Sequence, residues 1–197
     1  MKQCCGQAYD GAANMSGTRN GVQALFKRES LHTLYVHCLA HSLNLCVKEV
    51  TCACDIIRDM MNFVYELTQL IKMSPKRLSL FDGLRKEITL NTGEITPNLR
   101  MLCPTWWTVR HGSIGSILQN YSILQNALDE IKLGHDEYAV KGNGMAIRME
   151  NFDTFFGLKL SYLLFSASEQ LSVNLQAKNI TVQEAVHGAK LLVSHLK

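Results

Sequence analysis

Apolar positions recur every three or four residues along most of this chain, and that period predicts helices. Leu39, Leu43, Cys46, Val50, Ile57, Met61, Val64, Leu67 and Ile71 mark a long amphipathic helix, with a break expected near Thr51–Asp55. Ser74 and Pro75 end it and start the next, since serine favours the N-cap and proline the first helical position. That next helix runs through "KRLSLFDGLRKEI", and "TLNTGEITPN" reads as a loop. From about Val109 to Lys132, Ile114, Ile117, Leu118, Tyr121, Leu124, Leu128 and Ile131 form the apolar face of one helix, with Gly134 placed as its C-cap. A glycine-diluted helix covers "DEYAVKGNGMAIRMEN", and the apolar stretch 151–176 reads as a buried helix. Thr181 with Glu184 three residues on is a capping box for the last helix, through about His195.

The first forty residues follow a different pattern. "GQAYDGAANMSG" is too rich in glycine and alanine for a packed strand. "GTRNGVQALFKRES" reads as a short helix with Val22, Leu25 and Phe26 on one side. Thr33–His37 is an apolar run of β-formers and reads as a buried strand. One strand, or two, followed by five to seven helices gives a mainly α chain. A buried strand needs partners for its backbone groups, and such a sequence offers few. The chain is therefore expected to be a fragment of something larger, with a self-associating or partner-seeking first third.

Composition adds limits. An apolar share of 47% against 19% charged residues is enough to bury a core. A net charge of +3 is only mildly basic, weaker than dedicated nucleic-acid binders show. No run approaches the roughly 18 apolar residues a membrane span needs. No apolar h-region follows Met1, so a secretory leader is not expected. Seven cysteines without regular spacing suggest reduced thiols in cytosol or nucleus. On that view the sequons at Asn14, Asn120 and Asn179 are chance matches.

Three patches carry candidate chemistry: "GQAYDGAANMSG", "YVHCLAHSLNL" at 35–45 and "CPTWWTVR" at 103–110. In that order they resemble successive motifs of the hAT superfamily of DNA transposases. More closely, they resemble its domesticated vertebrate relatives, including the C-terminal regions of zinc finger MYM-type proteins and the kinase-inhibitor-repressor group. The resemblance implies a partial ribonuclease-H-like core over 1–108 and the start of a helical insertion domain over 109–197. The fold expected is thus mainly α, a truncated ribonuclease-H-like α/β edge followed by helices.

In that family an Asp, Asp and Glu trio holds two divalent metals, Mg²⁺ or Mn²⁺, that drive phosphodiester cleavage. Asp10 matches the second of the three, and its small neighbours would let metal and phosphate approach. The plainer alternative is that Asp10 only closes an Asx-turn. By the resemblance the first aspartate would lie upstream of Met1 and the last glutamate beyond Lys197. One carboxylate cannot hold two metals, so the expectation is an inactive remnant needing no cofactor, from a truncated or decayed gene copy.

Cys38 and His41 match the family's Cys-x-x-His motif, which implies a place for His41 near DNA. Two such ligands are half a zinc site, and Cys4 and Cys5 could complete it on paper. A buried thiol and a hydrogen-bonded histidine are the simpler reading. Cys46, Cys52 and Cys54 read as core. Trp107 matches a tryptophan that can stack on a flipped base, and Trp106 stands where the family usually has arginine. Both could equally pack against the long helix. Two functions follow: a transposase remnant with residual DNA binding in the nucleus, or a domesticated module that binds nuclear proteins.

Overall fold

The structure, a computed structural model, describes residues 4–102 and 110–196. The described residues are mainly helical, with a two-stranded parallel sheet. They form two compact units: 1–50 with 170–195, and 51–169. The expected domain boundary at 108 and both Trp106 and Trp107 lie outside the described residues.

The first unit opens with β1 (Gly6–Tyr9), α1 (Ala13–Ser16), α2 (Val22–Glu29) and β2 (Leu34–His37). The strands pair in parallel, Gly6 opposite Leu34 through Tyr9 opposite His37. Parallel pairing needs a crossover of a dozen or more residues, and α1–α2 provides it. Backbone bonds from Leu34 to Cys5 (3.1 Å) and from Cys38 to Tyr9 (2.9 Å) extend the ladder at both ends.

Two strand expectations are corrected here. Gly6–Tyr9 is a strand despite its composition, because the ladder asks only for backbone groups and most of its side chains stay in solvent. Gln7 is the buried exception, donating Nε2–H to the Gln23 carbonyl at 3.1 Å. β2 is not buried: Leu34 is 73% and Val36 58% exposed.

The inner face of α2 also differs from the expectation. Gln23 and Ala24 are buried while Leu25 is exposed. Gln23 is held inward by its bond to Ser16 O at 3.2 Å. A tight turn precedes α2, where a Cβ on Gly21 would lie 2.5 Å from the Gly17 backbone, so glycine is required.

The chain continues as α3 (Leu39–Ala53) and α4 (Asp55–Lys72). The break falls where the pattern put it, with Cys54 extended between the two helices. The apolar positions of α3 stay largely in solvent; Ala40 is its buried residue, and Cys46 and Cys52 are exposed rather than core. None of the six described cysteines is in a disulfide.

In the second unit, α5 (Pro75–Thr92) starts as expected, with Ser74 Oγ accepting the Arg77 N–H at 3.4 Å. It runs through Thr92, past the expected loop boundary. Thr89 and Thr92 hydroxyls bond back to Arg85 and Ile88 carbonyls, and Gly93 closes the helix at φ 74°. Gly134, expected to play that part after Ile131, has no positive φ.

The helix expected over 109–132 is two: α6 (Arg110–Gln119) and α7 (Tyr121–Ile131). Asn120 between them is fully buried. Its side-chain amide donates to Ser116 O at 2.7 Å and Pro97 O at 2.9 Å, the backbone competition that disfavours asparagine in helix interiors. α8 (Glu137–Glu150) packs on α7 and α4. Phe63, Val64, Leu67, Ile71, Phe81, Ile114, Ile117, Leu124 and Leu128 are essentially inaccessible and form the core. Each such side chain contributes about 1.5–3 kcal/mol on burial.

α9 (Phe152–Leu175) is only half-buried, against expectation. Its inner stripe in this unit is mostly small, Thr154, Gly157, Leu158, Ser161, Phe165 and Ser168, while Phe152, Phe155, Phe156 and Leu163 face solvent. Small residues bring α9 close to its neighbour: a Cβ on Gly157 would meet Met60 Cγ at 2.7 Å. The last helix, α10 (Val182–His195), begins with the expected capping box, Thr181 N–H to Glu184 Oε2 at 2.7 Å and Glu184 N–H to Thr181 Oγ1 at 3.2 Å.

Candidate functional site

Asp10 directly follows β1, at the carboxyl end of the parallel pair. It is exposed, and its Oδ1 accepts the Ala12 N–H at 3.2 Å. That bond is the Asx-turn of the plainer reading. The turn fixes the carboxylate at the strand end.

His37 ends β2, opposite Tyr9. Its imidazole lies against the turn: a Cβ on Gly11 would sit 3.3 Å from His37 Cε1. His41, on the first turn of α3, places its ring 5.7 Å from that of His37. Asp10, His37 and His41 are therefore gathered at the carboxyl ends of the strands, the side on which parallel α/β units place ligands. His37 was not singled out by the sequence pattern, because only the parallel register brings it beside Gly11.

Cys38 is half-buried, and its carbonyl receives the Ser42 N–H at 3.0 Å and hydroxyl at 3.2 Å at the start of α3. Cys4 and Cys5 sit before β1, whereas Cys38 and His41 follow β2. Parallel pairing puts the two pairs at opposite ends of strands four residues long, about 13 Å apart at 3.3 Å per residue. They do not assemble one tetrahedral site. Among the described residues no group of three or more His, Cys, Asp or Glu side chains is placed to hold a metal ion. One carboxylate oxygen in a turn does not fit a two-metal centre.

The third motif reaches the described residues at Arg110, the first residue of α6. Its guanidinium lies 5.4 Å from the Phe165 ring centroid. Burial lowers its pKa, and the Cys52 sulfur opposes that shift. Next to it, His111 Nδ1 is 3.5 Å from Glu169 Oε2, and its ring is 4.6 Å from that of Tyr162.

No family model matches the chain, and no solved structure matches it. Among the described residues no helix is long and apolar enough to cross a membrane.

Proposed function

We propose that the chain is a transposase-derived, hAT-like protein, catalytically inactive, that retains a nucleic-acid surface at the carboxyl ends of β1 and β2. The observation that supports this most is the convergence of Asp10, His37 and His41 there, two of them motif residues, on a β–α–β unit. In this reading the unit is the edge of a ribonuclease-H-like core and the later helices belong to the insertion domain. His41 contacts DNA, Trp107 stacks on an unpaired base, and Asp10 is what the chain carries of the acidic trio. A lone carboxylate at this turn holds no metal pair, so this reading expects no DNA cleavage. The nucleus is the compartment that fits such a protein.

A second reading, a nuclear protein-interaction module, is favoured by one observation. Phe152 and Phe156 stack on each other at 5.9 Å on the solvent side of α9.

Duplex-DNA binding by fluorescence anisotropy at 50 and 200 mM salt separates the two. The first reading expects affinity that falls steeply with salt and weakens in His41→Ala. It also expects no Mg²⁺- or Mn²⁺-dependent nicking. Metal-dependent cleavage abolished by Asp10→Ala would overturn the inactive assignment. Absence of any DNA affinity would leave the interaction module.

A further inference from the structure

A groove of about 560 Å³ runs between α4, the start of α5, and α8, wholly within the second unit. Its floor and walls include Leu70, Met73, Met145 and the rings of Tyr65 and Tyr138. Three cations, Arg77, Lys141 and Arg148, line it with one carboxylate, Glu66. Arg148 already faces that carboxylate, Nη1 to Oε2 at 3.7 Å, and lies over the Phe63 ring at 4.7 Å.

The other two cations have no acidic partner among the described residues. Arg77 uses Nε to donate to the Leu70 carbonyl and stacks on Tyr138 at 4.2 Å. That bond orients the guanidinium and leaves its terminal nitrogens available. Lys141 Nζ stands 5.6 Å from the same ring. Lys141, Gly144, Met145 and Arg148 share one side of α8 by helical spacing. At Gly144 an added Cβ would meet nothing within 4 Å, so the groove is open there.

We propose that this groove binds a nucleotide unit, its base against the tyrosine and methionine surfaces and its phosphate against Arg77 and Lys141. Charge complementarity selects an anion, since the single carboxylate is matched by Arg148 and two cations remain. The apolar walls select an anion with a flat, weakly polar body over a bare phosphate. The volume lies in the range of small-molecule sites. Aromatic faces flanked by cations are also how sequence-tolerant binders hold single strands, so the unit can come from a free nucleotide or from a strand. This inference rests on the groove alone and is independent of the function proposed above.

Isothermal titration of the full chain with ATP, with tripolyphosphate and with a dT₁₂ oligonucleotide tests it. Lys141→Glu reverses an exposed charge. Gly144→Leu fills the groove at a helical position where leucine is a better helix former. A thermal melt checks that each variant is folded. Binding of ATP or of dT₁₂, weakened at least tenfold by both substitutions, is the expected result, and which of the two binds identifies the source. Tripolyphosphate binding as tightly as ATP would overturn the assignment of a base subsite. No binding of either probe, or binding indifferent to Gly144→Leu in the folded variant, would overturn the site.

Discussion

Asn120 reaches back 23 positions to donate its side-chain amide to the Pro97 carbonyl, at 2.9 Å, from a fully buried position between α6 and α7. The same amide holds Ser116 O. One residue thus ties the segment after α5 to the helix pair. Asn120→Ala removes both bonds and leaves the buried Ser116 carbonyl and the half-buried Pro97 carbonyl short of a donor. The expected loss is about 1–3 kcal/mol, read as a lower urea midpoint with an unchanged slope. A midpoint equal to that of the unmodified chain would mean that the bonds contribute nothing.

Two glycines at helix positions should answer oppositely to a side chain. At Gly157 in α9 a Cβ meets Met60 Cγ at 2.7 Å and Ile56 Cγ1 at 3.1 Å. Gly157→Val overpacks that contact and should cost about 1–3 kcal/mol. At Gly144 in α8 the space is open, so Gly144→Ala should stabilise by about 0.5–1 kcal/mol through helix propensity. Paired thermal melts check the contrast, and the same sign for both would refute it.

Local chemistry was the part of this fold that could be read in advance. Ser74–Pro75 and Thr181/Glu184 start helices where the sequence puts them, because a cap needs only residues within one turn. The break at Cys54 also follows from neighbours in sequence. β1 was illegible because its ladder uses backbone, and its exposed side chains have no alternation to read. α9 misled for a different reason. Apolar content marks it for burial, but size decides which side faces in, and the small side packs while Phe152, Phe155 and Phe156 stay out. At the site, Asp10 and His41 could be picked from motifs. His37 could not, since its place beside Gly11 arises from the pairing of residues 28 positions apart. The groove of the second unit was equally hidden, because Arg77 and Tyr138 meet only once α5 and α8 are assembled.

The capping box of α10 gives a pH dependence with a defined sign. Bonds from the Thr181 backbone N–H first, and its hydroxyl second, hold the Glu184 pKa below the usual carboxylate value of 4.5. A carboxyl depressed in the folded state stabilises it above the unfolded pKa, and that contribution is lost as pH falls through the folded value. The start of α10 should therefore loosen on acidification below about pH 4.5, where unfolded carboxylates begin to protonate. Glu184→Gln should flatten that part of the response. Carbon-detected titration of the Glu184 carboxyl, with exchange rates of the amides at 183–186, reads both. A Glu184 pKa at or above 4.5 would contradict the bond.

The parallel pair of β1 and β2 should be far less protected than α6. Each strand is four residues long, and two strands by themselves are marginal in water. Leu34 and Val36 lie in solvent, so little apolar burial reinforces the ladder. By contrast, Ile114 and Ile117 on α6 are completely inaccessible. Protection scales with the free energy needed to open each segment, which burial raises and exposed hydrogen bonds do not. Amides at 34–37 should exchange well before those at 114–117 in native-state hydrogen exchange at neutral pH. Exposed edges of such a pair can also recruit another strand, so protection at 34–37 should rise with protein concentration if copies associate there. Equal protection of the two segments in a dilute monomer would show that the sheet is held by more than its own ladder.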